Sequence, residues 1–242
     1  MRIVLSKRLK KVASMVTGNS IADVGCDHGK LGAYLYQNKK INKVINMDIS
    51  KASLDKADEL MSSFKECETI CRVSDGCDAL NDNEVDTLVM AGLGGTEIAI
   101  ILKRAFAENK KYKRYVLSPN RHPEKVRKVL LENGYGIVED AMVKEGGIYY
   151  VVFASEKGAK IPSNNEIYYG INFRTDPVFK EYCINRLEHL NTLLLTHTNA
   201  NGIKEEIERL NSAKKELVDD KNNWCTKCIR KTCTSIIEGR LW

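Results

Sequence analysis

The sequence has 242 residues, room for one large domain and a small appendage. Hydrophobic residues make up 43% and charged ones 29%, enough for a sizeable core under a charged surface, and no run of about 18 apolar residues occurs that would span a membrane. The net charge of +6 leans toward polyanionic partners, and eight scattered cysteines without a secretory leader suit reduced thiols in a cytoplasm better than a disulfide scaffold.

The first dozen residues carry Arg2, Lys7, Arg8, Lys10 and Lys11 and lack the apolar stretch of a signal peptide, so they predict a basic amphipathic helix. From there to about residue 155, short apolar runs alternate with helical patterns. Strands are predicted at 20–24, 43–47, 69–73, 85–91, 115–117, 137–142 and 149–154, and helices at 30–38, 50–65, 96–107 and 123–133. Such alternation implies right-handed crossovers and an α/β, Rossmann-like, mostly parallel sheet. Only residues 144–147 separate the last two strands, which permits a hairpin but no crossover, so the sheet should end in an antiparallel strand.

A break with Pro, Ser and Asn at 158–165 divides the chain into an expected first domain, 1–157, and a second, 158–242. In the latter, Cys183, Leu187, Leu190, Leu194 and His197 step by four and three, as do Ile203, Ile207, Leu210, Ala213 and Leu217. Two such stripes around the turn at Asn199-Ala-Asn-Gly202 predict an antiparallel helical hairpin. Near the end, Cys225-x-x-Cys228 with Cys233 has metal-like spacing but an incomplete ligand set, so no metal site is assigned. Basic residues gather at 7–11, 103–104, 110–114 and 121–128, either as solvated faces or as a nucleic-acid surface.

Chemistry concentrates after the strands. Asp23-Val-Gly25-Cys-Asp27-His28-Gly29 leaves the first strand and opens the first helix, where Gly25 lets the backbone turn tightly. The second glycine of a dinucleotide fingerprint is replaced by Asp27. A carboxylate there repels a diphosphate but attracts a sulfonium and an ammonium, so Asp23 and Asp27 point to S-adenosylmethionine rather than a nicotinamide dinucleotide. Asp27 also fits a plain helix cap. Asp48, next to Ile49, ends the second strand, placed to accept two ribose hydroxyls. Asp75-Gly76 follows the third strand, as an acceptor for an adenine amino group with close approach at the glycine, or as a simple turn. Gly92-Leu93-Gly94-Gly95 follows the fourth and leaves room for a planar substrate, and Ser118-Pro-Asn120 follows the fifth. Asn120 can meet an adenine's Watson–Crick edge with one donor and one acceptor, or serve as a turn residue.

With these motifs the sequence resembles the bacterial tRNA (adenine-22-N1)-methyltransferases, a family of class I S-adenosylmethionine-dependent methyltransferases. The likeness rests on Leu5-Ser-Lys-Arg-Leu9, Asp23-x-Gly-x-Asp-His28, Asp75-Gly76, Val85-Asp86 leading into Ala91-Gly-Leu-Gly-Gly95, Ser118-Pro-Asn120 and Val126-Arg-Lys-x-Leu-x-Glu-Asn-Gly134, over residues 4–156. The family carries Met at the place of Leu93 and Gln at the place of Ser118, so one substrate contact differs. The resemblance implies that Arg8, Gly25, Asp27, His28, Asp48, Asp75, Gly76, Gly92 and Leu93 line the cofactor pocket, with His28 alternatively capping the helix. Asp23 and Ile49 complete the candidate set. It also implies an enzyme with tRNA as partner, acting on adenine N1 at position 22. By their place at the substrate rim, Asn120 and the backbone carbonyls near Gly92–Gly95 are the candidates for holding the base, with Asn120 as the candidate catalytic residue; a cytoplasmic location and no protein partner are expected. A small-molecule or protein methyltransferase and a non-catalytic RNA-binding module are the competing readings.

Overall fold

The computed structural model describes residues 2–159, 162–196 and 200–218, so His197, Cys225, Cys228 and Cys233 lie outside the described residues. The chain divides into two compact units, Met1–Asn172 and Phe173–Trp242.

In the first unit the strands are β1 (Ser20–Val24), β2 (Lys43–Asp48), β3 (Glu68–Val73), β4 (Thr87–Ala91), β5 (Arg114–Ser118), β6 (Tyr135–Glu145) and β7 (Ile148–Lys157). They form one sheet in the order β3-β2-β1-β4-β5-β7-β6. The first five are parallel, and β7 runs antiparallel between β5 and β6. Helices cover both faces, so the central strands are buried on each side and read as near-continuous apolar runs. Ile21, Val44, Val89 and Val116 pack with α1 (Lys7–Met15), α2 (Lys30–Gln37) and the end of α3 (Lys51–Met61). On the other face, Ala22, Val24, Ile45, Leu88 and Leu117 pack with α4 (Gly95–Ala107) and α5 (Pro123–Glu132).

Several boundaries shift from the sequence expectation, helix α3 ending at Met61 and β6 and β7 running longer at both ends; three of the shifts have a clear physical reason. Val85 is buried, yet the ladder begins at Thr87. The carboxylate of Asp86 is taken up by the Asn19 amide at 2.9 Å and the Ser20 hydroxyl at 3.0 Å, which holds this entry as a loop. The hairpin turn shrinks to Gly146-Gly147, because Lys144 pairs with Tyr149 and Glu145 with Ile148; positive φ at both glycines suits a two-residue connection.

The third difference is the domain line, fifteen residues beyond the expected 157/158 boundary. The segment after β7 forms α6 (Asn164–Tyr169), started by a capping box between Ser163 and Glu166. Arg127 of α5, fully buried, donates to the carbonyls of Ile167 (2.9 Å) and Tyr168 (3.1 Å) and to the Asp140 carboxylate (2.7 Å). A buried guanidinium needs all its partners, and α6 supplies two of them, so it goes with the sheet.

In the second unit, α7 (Pro177–Thr196) and α8 (Asn201–Lys215) lie antiparallel. Arg174 pairs with Glu216 at the open end (2.5 Å) and Arg186 with Glu206 farther along (2.8 Å). Cys183, Leu187, Leu190, Leu210 and Ala213 form the buried seam, while Leu194, Ile203, Ile207 and Leu217 are half-buried.

Candidate active site

Strand order reverses between β1 and β4, and ligands of open α/β sheets bind beyond the carboxyl ends of the strands at such a point. The segments carrying Gly25, Asp48, Asp75, Gly92 and Asn120 each leave one strand end on this edge.

The turn after β1 is built from left-handed residues: Gly25 (φ 75°), Asp27 (φ 53°) and Gly29 (φ 66°). A non-glycine residue in that region is uncommon, and Asp tolerates it better than most. The turn is held from within. The amides of Gly25 and Cys26 donate to the Met47 carbonyl at 2.8 and 3.1 Å. The Gly29 amide donates to the Cys26 carbonyl at 3.0 Å, and the Asp27 amide to the Asp48 carboxylate at 3.4 Å. Four amides of a would-be phosphate cradle are thereby engaged. Helix α2 has Gly29 at its N-cap with no side-chain hydrogen bond, so neither Asp27 nor His28 is a cap. His28 Nδ1 lies 2.7 Å from an Asp27 carboxylate oxygen but is not aligned for a hydrogen bond.

Acidic groups form the floor. Asp23 is 5% exposed, and burial, reinforced by the nearby Asp48 carboxylate, pushes its carboxyl up to about 7. Asp48 accepts from the Ser50 amide at 2.8 Å as well as from Asp27. Each oxygen retains acceptor capacity, enough for a vicinal diol. Beside it Ile49 is 75% exposed, an apolar face at the sheet edge. Gly25 faces the fourth loop: a Cβ there would meet Leu93 Cδ2 at 3.4 Å, so Leu93 roofs the turn.

Asp75 differs from a free acceptor. Arg104 of α4 reaches its carboxylate at 3.1 Å and its carbonyl at 2.8 Å, and the guanidinium holds this carboxyl below the ordinary carboxylate range. Gly76 has its own packing reason: a Cβ would sit 2.7 Å from Ile101 of α4. The expected close approach at this glycine is made by protein.

The fourth and fifth loops are stitched together by main-chain bonds, Gly92 to Ser118 (3.1 Å), Asn120 to Leu93 (2.9 Å) and Gly95 to Arg121 (2.8 Å). A Cβ on Gly95 would lie 2.2 Å from the Arg121 carbonyl, so this glycine serves loop contact and not substrate room; Gly94 faces open space. The Ser118 side chain is fully buried and absent from the rim. The amide of Asn120 is fixed on both sides: its nitrogen donates to the Gly92 carbonyl, and its oxygen accepts from Arg8 at 3.0 Å. One donor and one acceptor site remain on it. The carbonyls of Gly92, Leu93 and Gly94 each accept one hydrogen bond, from Asn120, Asn120 and Ile98, and each keeps a second lone pair.

Arg8 joins the edge from α1. Its guanidinium stacks 4.8 Å above the Tyr150 ring, and its amide and that of Lys7 bond to Glu145 at 3.5 and 2.6 Å. These bonds, the Lys7 amide first, lower the Glu145 carboxyl. Glu145, Tyr150 and Arg104 escape sequence reasoning because their partners Lys7, Arg8 and Asp75 lie 29 to 142 positions away. No group of His, Cys, Asp and Glu among the described residues could hold a metal.

An acidic turn with engaged amides rejects a diphosphate and suits a ligand with positive charge and a diol. The description "Methyltransferase domain" matches residues 5–153. A Bacillus subtilis (strain 168) protein, tRNA (adenine(22)-N(1))-methyltransferase, is 30% identical over 156 residues, which span 64% of this chain and 66% of that protein. The structure of M. capricolum TrmK in complex with its natural cofactor product S-adenosyl-homocysteine is similar, with a TM-score of 0.79 and 25% identity, over 88% of this chain and 99% of that one. A Streptococcus agalactiae protein of the NADB-Rossmann superfamily has a TM-score of 0.79 and 28% identity, over 88% and 99%.

Proposed function

The chain belongs to the family of methyltransferase domains, and from that premise we propose that it transfers the S-adenosylmethionine methyl group to N1 of an unpaired adenine in tRNA, at position 22, in the cytoplasm. The observation that carries the cofactor is the first turn, whose amides are engaged internally and whose floor is Asp23 and Asp48. Position and base follow from the name of the Bacillus subtilis relative.

The cofactor supplies an electrophilic methyl group on a cationic sulfur. Asp48 would accept the ribose hydroxyls, Ile49 offers an apolar face to the adenine, and Asp23 and Asp27 favour the positive charge. Gly25 and Leu93 shape the passage between the first and fourth loops. On the acceptor side, adenine N1 carries an in-plane lone pair and is neutral at pH 7, so no group need remove a proton first. The work left to the protein is alignment. Asn120, held by Arg8 and the Gly92 carbonyl, presents its remaining donor and acceptor to the base. Because N1 lies on the Watson–Crick edge, the target must be unpaired or extruded.

The test is incubation of unmodified tRNA transcript with methyl-labelled cofactor, followed by nucleoside mass spectrometry. Label in 1-methyladenosine, abolished when A at position 22 is replaced, is the expected result; label in another nucleoside, or none in RNA, overturns the reading. Asn120→Ala should slow transfer about tenfold, the worth of a hydrogen bond of roughly 1.4 kcal/mol, with cofactor affinity unchanged.

A further inference from the structure

A second concavity lies outside the cofactor crevice, a groove of about 250 Å³ between α4 and α5. Exposed Ile100 and buried Val129 give it an apolar lining, and Lys103, Lys125 and Lys128 also line it, against one acid, Glu132. The fold sorts the basic residues of this region into two sets. Arg104 is neutralised by Asp75 and Asp78, and Arg127 is buried on Asp140. Lys103, Lys125 and Lys128 have no carboxylate within ion-pair distance among the described residues; Lys125 donates to the Thr96 hydroxyl at 3.0 Å, and Lys128 lies 5.6 Å over the Tyr168 ring. These three ammonium groups therefore face one groove.

An apolar lining beside unpaired ammonium groups is complementary to a base or ribose carrying a phosphate. The volume falls below the roughly 300–1,000 Å³ of pockets that enclose a free small molecule, so it suits one residue of a polymer. The groove also begins at the methyl-acceptor edge. Thr96, in its wall, follows Gly95, which is bonded to Arg121 on the rim, and the wall from Thr96 to Lys103 runs about 10 Å along α4.

We propose that this groove is a second nucleotide subsite, taking a nucleotide that flanks the target adenine, with its sugar or base on Ile100 and Val129 and its phosphate held by Lys103, Lys125 and Lys128. The proposal rests on the tRNA reading above. It is tested on the full chain with the triple variant K103E/K125E/K128E and, separately, with Ile100→Ala. The triple variant should bind tRNA transcript at least tenfold more weakly. Its affinity should also depend less steeply on salt, by about 0.7–0.9 in the log–log slope for each phosphate the protein no longer neutralises. Calorimetric affinity for S-adenosylmethionine and the thermal midpoint should stay as in the wild type. Ile100→Ala should weaken RNA binding with the salt slope preserved. If wild-type protein methylates tRNA while the triple variant binds it with the same affinity and slope, the subsite is wrong and the function stands. If wild-type protein neither binds nor methylates tRNA, both fall; selective binding of an acidic peptide in the groove also overturns the subsite.

Discussion

Two carboxylates decide how the crevice treats charge. Asp48→Ala removes the carboxylate that we propose accepts the ribose hydroxyls and should weaken cofactor binding by about 1.5–3 kcal/mol, the range for hydrogen bonds to charged groups. That is a loss of roughly tenfold to a hundredfold by calorimetry, and an unchanged constant would remove Asp48 from the site. Asp23 adds a pH dependence whose sign is fixed. Its folded value of about 7 stands above the ordinary 3.8, so its contribution to folding is present below about pH 4 and lost as the pH rises through 7. A cationic ligand prefers the ionised carboxyl. Cofactor affinity should therefore rise from pH 5.5 to 7.5 and level off, and binding at pH 6 should release a proton, seen as a heat that differs between buffers. Asp23→Asn should flatten this profile and raise the thermal midpoint of the free protein at pH 8. Both residues could be singled out in the sequence because each stands at the end of a predicted strand, which is a local pattern. Arg8 against Asn120 was not, since the pair is 112 positions apart and joined only by packing.

Among the elements, the central strands could be read because burial on two faces leaves unbroken apolar runs. Legibility failed where burial thins. The hairpin end of β6 extends past the core edge with half-exposed, mixed residues, so the sequence stopped it early, and the predicted β7 ends at 154 because the buried Ser155 is polar and breaks the apolar run. Helix α6 was missed although its capping box, Ser163 to Glu166, is written in the chain; the Pro-Ser-Asn composition around it suggested a linker. The glycine-rich fourth loop was assigned to substrate space, and Gly95 instead admits the Arg121 carbonyl. Gly95→Ala forces about one methyl group into that contact, so the first turn of α4 must shift. A loss of about 1–3 kcal/mol in denaturant unfolding is expected, together with faster hydrogen exchange at the Asn120 amide, whose bond to Leu93 closes the same seam. Unaltered stability and exchange would show the seam to be dispensable.

For the whole chain, the position of the domain line has a measurable consequence. Truncation after Asn172 preserves every partner of Arg127 and should leave a cooperatively unfolding protein with unchanged cofactor affinity. Truncation after Lys157 removes the Ile167 and Tyr168 carbonyls from a buried guanidinium and should lower the unfolding free energy by about 1–3 kcal/mol. Equal stabilities for the two products would return the boundary to residue 157. The first turn, finally, bears on inhibitor chemistry. A turn that has already used its own N–H groups offers nothing to a triphosphate or a dinucleotide, so mimics bearing phosphates should fail here. Uncharged or cationic nucleosides should succeed, and compounds chosen that way would spare the kinases and dehydrogenases whose pockets are made for anions.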